Sequence, residues 1–121
     1  MFAKKENKIK GDFGERLAVK YLKGKGYKII ETNFRLRSGE IDIIAKDGDY
    51  IVFAEVKFRE NNDYGEPCEA VGYRKQRKII NTAKAYIQKN EIYDFGFRFD
   101  VIEILNADKS VRHIINAFEV F

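Results

Sequence analysis

The chain holds one cysteine, one histidine and one proline in 121 residues. The single cysteine, Cys68, excludes an intrachain disulfide and any cysteine-based zinc cluster, and it fits a reducing compartment. The lone His113 stands in the apolar-rich stretch VRHIINAF and is read as a structural or surface residue without a catalytic role. A Ser–His or Cys–His nucleophile system would have to use that one histidine, and no serine sits in an elbow motif. No apolar run approaches the roughly 20 residues needed to span a bilayer. The start, MFAKKENKIKG, lacks the apolar centre of a secretory signal. Together these absences predict a soluble, cytoplasmic protein with no membrane partner.

What is present is enough for a core. With 45% hydrophobic and 14% aromatic residues, a chain of this size buries roughly 60–70% of its unfolded surface. Residues 1–121 read as a single domain, with no internal repeat or linker. The formal net charge of +4 and the pI near 9.1 favour acidic partners. The bias is weak, because 19 acidic residues are interspersed with 23 basic ones.

Periodicity predicts seven elements. A first helix over Lys8–Gly26 sets Phe13, Leu17, Ala18, Tyr21 and Leu22 at helical spacing, with Gly24 and Gly26 as its stop. Strands follow over Tyr27–Phe34, Glu40–Lys46 and Tyr50–Arg59, the last two joined by a turn at Asp47-Gly48 as an antiparallel hairpin. The polar stretch ENNDYGEPCEA, holding Pro67, is long enough to be a mobile loop. A second helix over Val71–Asn90 sets Gln76, Ile79, Ile80, Ala83, Tyr86 and Ile87 on one face. Phe97–Leu105, a turn at Asn106–Ser110 and Val111–Phe121 complete the order α-β-β-β-α-β-β. The fold class is α/β, in its mixed-sheet α+β variant, with helices available to both faces of the sheet.

The third strand carries the chemistry. Ile51, Phe53, Glu55, Lys57 and Arg59 share one face, and Val52, Ala54, Val56 and Phe58 share the other. A strand apolar on both faces is central, and charges are rare there unless paired or bound to metal. Asp42 is likewise a charge within an apolar run on the second strand. A two-residue turn at Asp47-Gly48 pairs Asp42 with Phe53, whereas a four-residue turn over Asp47–Tyr50 pairs it with Glu55. Either turn brings Asp42 to the face of Glu55 and Lys57.

Two carboxylates about 4 Å apart repel by roughly 4 kcal/mol at an effective dielectric near 20. A divalent cation removes that penalty, and oxygen ligands suit Mg²⁺ or Mn²⁺. Lys57 could then orient or deprotonate the attacking water. Glu15, at the edge of the first helix's apolar stripe, could lean over the sheet. Lys75 and Gln76, near the start of the second helix, could reach the same face. Arg35, Arg37, Arg59, Arg74, Lys75, Gln76 and Lys78 form a candidate phosphate track. The same residues also fit a buried salt bridge of Lys57 with Asp42 or Glu55, without metal.

The segments GDFGERLAVKYLKGKGYKII, NFRLRSGEIDIIAKDG, IVFAEVKFR, RKQRKIINTAKAYI, RFDVIEI and HIINAFEVF resemble the bacterial YraN-like family. That family is similar to archaeal Holliday-junction resolvases within the PD-(D/E)xK nuclease superfamily. The resemblance implies a restriction-endonuclease-like core and metal-dependent hydrolysis of phosphodiesters, with DNA, branched or junction DNA included, as the partner. It further implies Asp42 and Glu55 as metal carboxylates, Lys57 as the catalytic lysine and Glu15 as a helix-borne acid and third metal ligand. Ile41 stands where the superfamily pattern has proline, and Ile80 stands four residues after Gln76 where RecB-type nucleases have tyrosine. Junction resolution needs two active sites, so a homodimer is the expected assembly. A binding module with the same fold and no turnover is the alternative.

Overall fold

The computed structural model describes residues 2–59, 71–105 and 110–119, with side chains from residue 13 on. The polar stretch with Tyr64, Pro67 and Cys68 and most of the predicted turn over Asn106–Ser110 lie outside the described residues. The order is α1 (Phe2–Gly24), β1 (Lys28–Leu36), β2 (Gly39–Asp47), β3 (Tyr50–Arg59), α2 (Tyr73–Lys89), β4 (Gly96–Leu105) and β5 (Val111–Phe118). The five strands form one sheet in the order β1-β2-β3-β4-β5. Only β3 and β4 run parallel. Their connection through α2 is the one crossover, so the fold is the mixed α+β arrangement expected of a restriction-endonuclease-like core.

α1 starts earlier than predicted, at Phe2. The segment AKKENKI is made largely of residues that favour helix even without a buried face. The apolar face also differs in one place. Phe13 is 39% exposed, and Gly14, Ala18 and Leu22 are the buried line, flanked by Leu17 and Tyr21. The helix ends on Gly26 at φ 90°, where a side chain would be strained. There the N–H of Tyr27 donates to the carbonyl of Leu22 at 3.0 Å and the N–H of Gly26 to that of Lys23 at 3.0 Å. Tyr27 and Leu22 then close the turn as apolar neighbours in the core.

The hairpin turn is Gly48-Asp49 rather than Asp47-Gly48, because Asp47 still pairs with Tyr50. Pairing therefore runs Lys46 with Ile51 and Ile43 with Ala54. This is the register of a four-residue turn over Asp47–Tyr50, and it sets Asp42 level with Glu55.

β3 is central and buried on both faces. On one side, Ile44, Ile51, Phe53, Phe99 and Val101 pack under Ile79, Ile80, Ala83 and Tyr86 of α2. On the other, Ile43, Ala45, Val52, Ala54, Ile102 and Ile104 pack under Ala18 and Leu22 of α1. Each fully buried aliphatic or aromatic side chain contributes roughly 1.5–3 kcal/mol by leaving water. Among the described residues no helix is long and apolar enough to cross a membrane.

Strand β4 carries two carboxylates with no exposed surface, Asp100 toward α1 and Glu103 toward α2. Asp100 accepts from Arg98 at 3.0 Å through both oxygens, from the N–H of Asn116 at 3.0 Å, and meets His113 Nε2 at 2.7 Å. His113 Nδ1 lies 3.2 Å from the Tyr21 hydroxyl, so the histidine is a structural member of this network. Glu103 meets Arg59 Nε at 2.5 Å and Arg112 Nε at 2.8 Å. Removing one partner of such a network leaves a buried charge uncompensated. Asp100→Asn, which removes the buried carboxylate from Arg98 and His113 and leaves Arg98 only Asp47 at 3.1 Å, is therefore expected to lower unfolding stability by about 3 kcal/mol. The urea midpoint measures this, and a loss under about 1 kcal/mol would refute the account.

Candidate functional site

The site forms where the β2–β3 ladder stops. The last backbone pair is Ile43 with Ala54. Beyond it, the N–H of Val56 donates instead to the side chain of Asp42, Oδ2 at 2.8 Å. Asp42 thereby satisfies a backbone donor that the departing strand has left, and its carboxylate is fixed against β3. Glu55, 5% exposed, lines the same cavity as Asp42, close enough for the two carboxyl groups to act on each other. Lys75 reaches down from the first turn of α2, its Nζ 2.5 Å from Glu55 Oε1.

α2 comes this close because Gly39 opens β2. A Cβ on Gly39 would stand 3.1 Å from Thr82 Oγ1 and 3.2 Å from Lys78 Cβ, tighter than side-chain contacts normally run. Ser38 Oγ lies 2.8 Å from Thr82 Oγ1, which tethers the same approach. Between α2 and the hairpin is a cavity of about 100 Å³ lined by Glu40, Asp42, Glu55, Lys75, Lys78 and Ile79. At about 30 Å³ per water in the liquid, it has room for an ion and a few waters. A larger groove of about 490 Å³ lies between α2 and β5, lined by Phe97, Phe99 and Phe118 among others. It is mostly apolar and shares no lining residue with the carboxylate cavity, so its size carries no chemistry.

Electrostatics single out the pair. Burial, and next the Asp42 charge, push the Glu55 carboxyl up to about 7, against the pull of Lys75. Burial also raises Asp42, opposed chiefly by the Val56 N–H. For Lys75 burial works against the charge, but the hydrogen bond and attraction of Glu55 outweigh it and the ammonium is held more firmly. Asp100 behaves oppositely. Burial raises it too, yet His113, Arg98 and the Asn116 N–H together bring its carboxyl below the ordinary value. Asp100 has all the positive partners it needs, and the Asp42–Glu55 pair does not.

The donor set fits a hard divalent cation. Mg²⁺ is commonly held by one or two carboxylates, with waters and phosphate oxygens completing the shell. Among the described residues no group of three histidine, cysteine or acidic side chains gathers around one point. The candidate centre is thus the pair Asp42 and Glu55. Glu15 lies instead with Arg16, Val19 and Thr32 at a pocket on the α1 side.

The other predicted residues divide. Lys57 is half-buried on β3, two residues beyond Glu55 and in register with Glu103, and does not line the cavity. Gln76 donates to the carbonyl of Val71 at 2.8 Å, closing the start of α2. Arg59 is held by Glu103, and Arg35 lies 3.4 Å from Glu40. Arg37, Arg74 and Lys78 are exposed, and of the three Lys78 lines the cavity. Sequence reasoning puts Lys75 on metal-bound water or a phosphate and misses its bond to Glu55. It also overlooked Asp100 and Glu103, although both show the mark that revealed Asp42, a carboxylate inside an apolar strand.

Comparison with known proteins adds the family. The profile of the uncharacterised protein family UPF0102 matches residues 14–104. The chain belongs to this family. A UPF0102 protein of Clostridioides difficile is 55% identical over 112 residues, covering 93% of this chain and 98% of its own length. One from Clostridium acetobutylicum is 51% identical over 118 residues, covering 94% and 97%. One from Clostridium botulinum strain Hall is 55% identical over 119 residues, covering 94% and 97%. The UPF0102 match spans α1 from Gly14 to Ile104 in β4 and so includes every residue of the carboxylate pair and its surroundings.

The raised Glu55 has a measurable consequence. Between its ordinary value near 4.5 and about 7 the folded state keeps a proton that the unfolded chain releases. The metal-free protein therefore loses stability as pH rises through that window, by an amount on the order of 3 kcal/mol. Glu55→Gln is expected to flatten this dependence and to melt above wild type at about pH 8 without metal. Parallel pH–melting curves for the two proteins would disprove it.

Proposed function

We propose that this protein is a divalent-metal-dependent nuclease that hydrolyses phosphodiester bonds in cytoplasmic DNA, with Asp42 and Glu55 holding Mg²⁺ or Mn²⁺. The observation that carries this reading is the contrast between buried carboxylates. Asp100 is fully compensated within the fold, whereas Asp42 and Glu55 are pushed up together at a cavity of ionic size. Natural folds rarely retain such a cost without a use for it.

A bound divalent cation supplies Lewis acidity toward a phosphodiester and lowers the pKa of water. The chain's own groups do the rest. Asp42, immobilised by the Val56 N–H, and Glu55, fixed within β3, hold the cation's position on rigid strands. Lys57, on the Glu55 face, is assigned to orient the attacking water and stabilise charge on phosphorus. Lys75 offsets part of the pair's charge when no cation is bound and is free to turn to phosphate when one is. Arg37, Arg74 and Lys78 supply sequence-independent contacts to the backbone. Branched or junction DNA is the proposed substrate, and a homodimer, which presents two such sites, is the proposed assembly.

A second reading, a nucleic-acid-binding module without turnover, draws on Lys75 seated against Glu55 and on Lys57 lying outside the cavity. Labelled junction, flap and single-stranded DNA incubated with Mg²⁺ or Mn²⁺ separates the two. Cleavage is expected for wild type, with a fall of roughly 100-fold or more for Asp42→Asn and for Lys57→Ala. DNA binding without cleavage favours the second reading, and equal cleavage by Asp42→Asn sinks the first. In either case, Arg74→Ala with Lys78→Ala should weaken binding and flatten its log–log salt dependence by about one for each phosphate that is no longer neutralised.

A further inference from the structure

Among the described residues, three non-glycine residues adopt positive φ: Asn33 at 54°, Glu91 at 51° and Asn116 at 56°. Glu91 follows the end of α2, and Asn116 offers its N–H to Asp100 where the β4–β5 register shifts. Asn33 is different, because it lies inside a strand whose pairing keeps step on both sides of it. Thr32 pairs with Ile43 and Phe34 with Ile41, so Asn33 and Asp42 fall opposite one another between those pairs.

Residues two apart on a regular strand share a face. Here they do not. Ile43 packs in the core under α1, while Ile41 and its partner Phe34 pack in the core under α2. Thr32 lies with Glu15 and Val19 on the α1 side. Both strands therefore change face at the level of Asn33 and Asp42. Asparagine tolerates the left-handed conformation this requires better than most L residues. Its side chain is also engaged, with Nδ2 donating to Glu15 Oε1 at 2.6 Å across 18 positions of sequence.

We propose that Asn33 is a positioning residue of the Asp42–Glu55 site, tying Glu15 of α1 to the level of the sheet at which Asp42 turns toward β3. The inference rests on the metal-dependent reading above. Asparagine meets both demands at once. Glycine would meet the backbone demand without the amide, and aspartate would tolerate the backbone but set a carboxylate against Glu15. Glu15 thereby gains a defined relation to the site although it does not line the cavity.

Calorimetric titration of the full chain with Mn²⁺ tests this. Asn33→Gly is expected to keep the far-UV circular dichroism of wild type and to bind Mn²⁺ about tenfold more weakly, the low end of what changes behind the directly coordinating side chains cost. In a Glu15→Ala background the same change is expected to cost less than about twofold, since the partner through which it acts is gone. Asn33→Asp, which preserves the left-handed tolerance, should lose at least as much affinity and serves if the glycine variant fails to fold. Wild-type binding with unchanged affinity in both Asn33 variants overturns the role of Asn33 alone. A loss of about tenfold that persists in the Glu15→Ala background overturns action through Glu15. A wild-type protein that binds no Mn²⁺ overturns the metal-dependent reading and this inference together.

Discussion

Two carboxyl groups withdrawn from water onto one face of a sheet repel each other and lose hydration, and everything around Asp42 and Glu55 reflects that constraint. Glu55 is desolvated because β3 is the middle strand of five and is covered on both sides. Asp42 cannot withdraw, because the Val56 N–H holds it. Lys75 answers part of the charge from α2. The response of the fold is to keep a proton on Glu55 up to about pH 7, a form that a divalent cation would displace.

The same sheet shows how a fold settles such a charge permanently. Asp100 and Glu103, both on β4, are buried at least as deeply as Glu55. Arg98 and His113 surround the first, and Arg59 and Arg112 the second. These arrangements use planar donors that match carboxylate geometry, so the charges are structural and inert. A flexible lysine on a helix, by contrast, can leave. Burial alone therefore does not mark a site; burial with incomplete, movable compensation does.

Much of this was legible in the sequence for identifiable reasons. The β3 segment IVFAEVKFR is apolar on both faces, which placed it at the centre, and hairpin parity brought Asp42 beside Glu55 although the turn itself lay one residue further on. Lys75 was less legible, because helical spacing gives a residue's direction but not which partner lies within reach of its long side chain. Glu103 and Asp100 carried the same signal as Asp42, and only the arginines and histidine around them in the folded sheet distinguish them. Phe13 misled for a related reason. A phenylalanine in an amphipathic helix reads as core, but the close approach of α1 to the sheet at Gly14 leaves it on the flank.

By itself the sequence determined the element order, the central place of β3 and the shared face of Asp42, Glu55 and Lys57, because strand periodicity and turn parity are local properties of the chain. Only the tertiary structure decided which buried charges are compensated, that Lys75 sits on Glu55, and that β1 and β2 change face together at Asn33 and Asp42. Those facts depend on which distant side chains the packing brings within about 3 Å, the range of a hydrogen bond, and no local pattern encodes that distance.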